Sequence, residues 1–146
     1  MRYLYALILC TAISNLWAQQ IVKVGTGEYY TAYLTDSGSI YVPISIGNRY
    51  FTKQLNSAEV FKDIACGLAQ AIAINTKAEV FVIGPGKTGR GIFAVKVDKD
   101  ISGKDFAPVD QVYAIGNTFF ALKKGKPFIW VEDILYVNGG KNTLPP

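Results

Sequence analysis

The chain of 146 residues contains no histidine, two cysteines, one methionine and only 18% charged residues. Without histidine there is no imidazole base, no Ser-His-Asp or Cys-His triad, and no His-ligated zinc or haem. Cys10 lies in an N-terminal apolar run, so Cys66 is the sole thiol downstream of that run, and it has no intrachain partner for a disulfide once the run is removed. Charge is scarce too: 15 basic against 11 acidic residues leave a net charge of +4. A nucleic-acid groove needs more positive charge gathered on one face. The densest basic cluster, Lys123, Lys124 and Lys126, reads as a solvated turn. The longest apolar run falls short of the roughly 20 residues that a spanning helix needs. With 50% hydrophobic residues, the chain is also too apolar to stay disordered.

The N-terminus has the composition of a leader. Met1-Arg2 is a short positive start, Tyr3 to Ile13 is apolar apart from Thr11, and Leu16-Trp17-Ala18 precedes Gln19-Gln20. This pattern predicts a secretory signal peptide over 1–18, cleaved near Ala18, and a secreted, periplasmic or cell-envelope location. A lipid anchor on Cys10 would favour a small residue before it, and Leu9 stands there. The remaining 19–146 form a single β domain in this reading.

That domain repeats itself. Gly27 to Tyr41 aligns with Gly67 to Phe81 at a constant offset of 40, which sets Leu34 on Ile74 and Ile40 on Val80. A third copy follows at an offset of 48, where Ile115 takes the place of Gly67, Leu122 matches Ile74, and Phe128-Ile129 match Val80-Phe81. The copies span about 21–56, 57–104 and 105–146. Each has an apolar strand, a polar turn and a second apolar strand. The turns are Thr35-Asp36-Ser37-Gly38, Asn75-Thr76-Lys77-Ala78 and Lys123-Lys124-Gly125-Lys126. Gly, Asp and Asn tolerate the positive φ of tight hairpins, so these are β-hairpins. Gly27, Gly38, Gly67, Gly84, Gly89, Gly116 and Gly125 are the structural glycines of the repeat. Val80 to Ile83 and Phe128 to Val131 read as strands buried on both faces. A short helix over Ser57 to Asp63, with Ser57 as N-cap, is the one helical expectation, while repeat consistency favours strand from Ile64 onward.

These residues resemble the repeat of the RCC1 family of seven-bladed β-propellers. Asp63-Ile64-Ala65-Cys66-Gly67 to Ile74 is similar to the family's first strand, and Val80-Phe81-Val82-Ile83-Gly84 to its second. Gly84 to Gly89 keeps its Gly-x4-Gly spacing, and Phe106-Ala107-Pro108-Val109 its lead-in to the next repeat. Tyr30 or Gln70 stands where the family often has His, Ile83 where it has Trp, and Arg90 where it has an acid or Gln. The resemblance implies an all-β fold of consecutive antiparallel sheets, a partial propeller. A three-fold β-trefoil of ~42-residue units is the alternative. Three copies do not close a ring that at ~50 residues per repeat needs about 350. Asp133 to Leu144 resembles the opening strand of a further copy.

The chemistry-bearing patterns are weak. Gly84-Pro85-Gly86-Lys87-Thr88 lacks the first glycine of a phosphate loop, because Phe81 occupies it. Asp98/Asp100 and Glu132/Asp133 read as solvated acids rather than glycosidase pairs or calcium ligands. Cys66, among small apolar neighbours, reads as a buried hydrophobe. Aromatics crowd the first copy at Tyr29, Tyr30, Tyr33, Tyr41, Tyr50 and Phe51, and exposed ones would stack on sugars or peptides. Tyr29, Tyr50 and Trp130 are the candidate contacts. The expectation is a secreted, non-enzymatic binding or interaction module, incomplete or oligomerising. A lectin-like module and a remnant of a larger RCC1-like protein are the alternatives. No catalytic residue, metal or cofactor is assigned. The expected partners are a protein or a second copy, with carbohydrate as a further candidate, and neither nucleic acid nor a stable membrane span is expected.

Overall fold

A computed structural model of the chain describes residues 19–46, 49–85, 91–99, 102–105, 107–116 and 118–131. The predicted signal peptide, Gly89, Asp100, Glu132 and the segment from Asp133 lie outside these residues. Eleven strands follow one another: β1 Ile21–Thr26, β2 Thr31–Thr35, β3 Ile40–Ile46, β4 Arg49–Gln54, β5 Phe61–Cys66, β6 Ala71–Asn75, β7 Val80–Pro85, β8 Ile92–Val97, β9 Gln111–Ile115, β10 Thr118–Lys123 and β11 Lys126–Val131. They form three antiparallel meanders, β1-β2-β3-β4, β5-β6-β7-β8 and β9-β10-β11, each with its strands in chain order. The fold is all-β, with no helix and no closed barrel among the described residues. The trefoil alternative would need such a barrel.

The predicted helix over Ser57 to Asp63 is not formed. Ser57 Oγ accepts the Glu59 N–H at 3.1 Å, which closes a local turn, and β5 begins at Phe61. Phe61 is tied to the preceding sheet by its N–H to Gly38 O, at 2.9 Å. Its ring meets Phe81 edge-on at 5.5 Å. Sheet pairing and burial of the phenyl outweigh the helical propensity of Ala58, a weak local preference.

Two cores hold the sheets together. The first joins Leu34, Ile40 and Val42 of the first sheet to Ile64, Ala71, Ala73, Phe81 and Ile83 of the second. The second joins Ile72, Ile74, Val80 and Val82 to Val112, Phe119, Ala121 and Phe128 of the third. Alternation along β6 and β7 thus sends successive side chains into different cores, and the middle sheet is buried on both faces, as its apolar run predicts. β11 departs from this: Phe128 is buried but Ile129 is 40% exposed, because among the described residues no sheet covers the outer face of the third.

The third copy also slips. Ile64 pairs with Ala73 and Val112 with Ala121, so β9 and β10 keep the offset of 48. Ala73 then pairs with Phe81, whereas Ala121 pairs with Phe128. Phe128 therefore takes the place of Phe81, not of Val80. The cause is a turn shorter by one residue: 75–79 separate Ile74 from Val80, but only 123–126 separate Leu122 from Pro127. Lys124 and Gly125 both take positive φ, 50° and 74°, as a two-residue type I′ hairpin requires. A slip of one residue exchanges the two faces of a strand.

The turns of the first two sheets join each sheet to the next. Gly38 (φ 77°) and Ala78 (φ 63°) occupy the same left-handed position. Their carbonyls accept the N–H groups of Phe61 and Val109, at 2.9 and 3.0 Å. Asn75 organises the second turn from full burial. Its Nδ2 donates to Glu59 Oε2 and Glu79 Oε2, both at 2.7 Å, and its Oδ1 accepts the N–H groups of Lys77 and Glu79.

Candidate binding groove

The first strand of each sheet is an edge strand, and the three edges β1, β5 and β9 lie side by side. Between them runs a groove of about 420 Å³ lined by 23–26, 63–66 and 111–114. These windows are the same four repeat positions, at offsets of 40 and 48. Each position therefore appears three times: Lys23, Asp63 and Gln111; Val24, Ile64 and Val112; Gly25, Ala65 and Tyr113; Thr26, Cys66 and Ala114. Matching register bulges between Ile21 and Lys23 and between Phe61 and Asp63 help to aim the first pair.

The polar row is chemically mixed. Lys23 Nζ donates to Asp63 Oδ1 in a partly exposed ion pair. The Asp63 carboxylate also accepts the Ile64 N–H at 2.9 Å. Gln111 Oε1 accepts the Tyr113 hydroxyl at 2.7 Å. An ammonium, a carboxylate, an amide and a phenol offer donors and acceptors for recognition through hydrogen bonds. Cys66 adds no nucleophile. It is a buried free thiol, and burial pushes its pKa up to about 11 at a site where the Ala32 backbone and Lys23 pull the other way. Tyr30 is buried beside it, with no partner for its hydroxyl among the described residues, and burial raises its pKa well above the usual phenol value. No group of three or more metal-ligating side chains occurs among the described residues.

At the end of the groove the sheets touch through backbone. Tyr29 N–H donates to Leu68 O at 2.9 Å, and Leu68 N–H to Gly116 O at 2.8 Å. A Cβ on Gly27 would lie 1.6 Å from the Gly67 carbonyl oxygen, and one on Gly67 would lie 2.8 Å from that of Gly116. Only glycine permits this approach. Gly84, the penultimate residue of β7, pairs with Phe93 and is not among the groove's lining residues.

The candidate aromatics are not brought together. Tyr29, 76% exposed, follows β1; Tyr50, 83% exposed, lies on β4 at the opposite edge of the same sheet. Trp130 is in the third sheet, paired with Phe119. Lys23, Asp63, Gln111 and Tyr113 were missed as a set because each is unremarkable alone. The repeat offsets carry the signal that unites Lys23, Asp63 and Gln111, and Tyr113 stands two residues beyond Gln111 on β9.

No protein-family model matches the chain, and no curated protein matches it. Among solved structures, the chain is similar to the crystal structure of human WBSCR16, an RCC1-like protein, with a TM-score of 0.60 at 16% identity. The match covers 80% of this chain and 34% of that one, so the chain spans about a third of the length of its neighbour. At this identity the likeness concerns the fold.

Proposed function

We propose that the chain is a secreted, non-catalytic interaction module whose sheets are consecutive blades of an RCC1-like propeller arc. The observation that carries this reading is the groove. The first strands of successive sheets supply the same four positions to one surface, as the inner strands of propeller blades do around a central channel. The fold of the RCC1-like neighbour supports the blade assignment. Recognition would use the Lys23, Asp63, Gln111 and Tyr113 row. Tyr113, an exposed aromatic ring beside an amide, is the feature that favours carbohydrate among small ligands.

The test is an array of glycans and extended peptides probed with labelled protein, wild type against the Lys23→Ala/Gln111→Ala double variant. Binding that the double variant loses supports the groove as the recognition surface. Binding that survives the double change, or no binding to either array, overturns it. Mass spectrometry of secreted protein checks the other half of the reading, with Gln19 expected as the mature N-terminus.

A further inference from the structure

Two sheet faces are uncovered among the described residues, and repeat register relates them. On the third sheet, Tyr113, Phe120, Leu122 and Ile129 stand at the positions of Ala65, Ile72, Ile74 and Val82. Phe120 pairs with Tyr113 and Ile129 just as Ile72 pairs with Ala65 and Val82. In the second sheet this row is packed under the third. In the third sheet Tyr113 is 46% exposed and Phe120 and Leu122 are half-buried. On the first sheet, Val24, Thr31, Tyr33 and Tyr41 stand at the positions of Ile64, Ala71, Ala73 and Phe81, which cover the first sheet from the second. Val24 is exposed and the other three are half-buried.

One free face is thus of the kind that receives a following sheet, and the other is of the kind that a following sheet presents. None of the eight side chains is charged, so neither face carries an ion that burial would strand.

We infer that the occupant of the third sheet's outer face is the first sheet of a second copy of this chain, joined head to tail. The contact repeats the relation that already joins sheet to sheet within one molecule. It is heterologous, because different patches meet, and successive copies extend in one direction until the rotation closes a ring. This inference rests on the blade reading of the sheets and adds a partner to it, but it does not depend on a ligand in the groove.

Sedimentation equilibrium of the full-length mature protein, from micromolar to millimolar, tests it. The wild type is expected to gain mass with concentration. Phe120→Lys on one face and Tyr33→Asp on the other should each weaken association at least about tenfold, with β circular dichroism unchanged. The decisive step is mixing. Each variant keeps the face that the other has lost, so an equimolar mixture forms one intact junction and regains a dimer, whereas a contact between like faces gains none. Should either variant fail to fold, Ile129→Lys or Val24→Asp replaces it. A wild type that stays monomeric overturns the inference, as does a mixture that regains no dimer. Neither result decides groove recognition, which the arrays test separately through Lys23 and Gln111.

Discussion

In the second sheet Ile72, Ile74 and Val82 are sealed under a neighbour, while in the third Phe120, Leu122 and Ile129 hold the same register and remain partly open. The strands have similar composition and the same hairpin connectivity. Their difference lies in whether another sheet is packed against them. Apolar content alone therefore does not identify a core residue in a stacked-sheet protein; position in the stack does.

Substitutions can break this comparison. Phe119→Ala empties the second core and should cost about 3–5 kcal/mol in denaturant titrations. Phe120→Ala, one residue along on the open face, should cost less than about 1 kcal/mol in dilute protein. Equal losses would mean that the outer face is covered within the single chain.

At the seam of the first two sheets, Gly27→Ala puts a methyl group into the Gly67 carbonyl, and about 3 kcal/mol of destabilisation is expected in the same titration. Asn75→Ala leaves two carboxylates without their shared amide donor and should cost about 2 kcal/mol, with earlier hydrogen exchange in the β6-β7 turn.

The paired turns give a smaller effect of opposite sign. Ala78 holds a left-handed conformation that costs a side-chain-bearing residue roughly 1–2 kcal/mol. Ala78→Gly should raise the thermal midpoint, with a gain of about 0.5–1 kcal/mol after the added freedom of the unfolded chain. Gly38→Ala should lower it, because the new Cβ meets Val60 and the Phe61 carbonyl.

Smallest is a pH effect at the surface. Hydrogen bonds from Lys96 and Asn75 hold the Glu79 carboxyl below its usual range. A group depressed in the folded state stabilises above its unfolded pKa, and that stability fades as pH falls through the folded value. Glu79→Gln should therefore lower stability slightly near neutral pH, leave it unchanged at acid pH, and so flatten the acid limb of a stability-against-pH curve.

Strand and hairpin signals were legible in the sequence because apolar alternation and turn residues act locally. The offset of 40 placed two sheets correctly, and the offset of 48 placed β9 and β10. Phe128 was assigned one position early because a shortened turn leaves no mark in composition; only the pairing of Ala121 reveals it. The stretch Ser57 to Asp63 suggested a short helix that pairing with the neighbouring sheet overrides. The groove was hidden for a related reason: Lys23, Asp63 and Gln111 share a repeat position but no chemistry. Exposed aromatics drew attention instead, and the fold sets Tyr29 and Tyr50 at opposite edges of one sheet.

Cys66 has a practical consequence. Its sulfur lies at the seam of the first two sheets, where a Cβ on Gly25 would come within 2.8 Å of it. It is also the only cysteine among the described residues. Burial there slows its reaction with a thiol reagent until that seam loosens, so its labelling rate reports on local opening. Each substitution proposed above can be followed by that rate without adding a probe to the molecule.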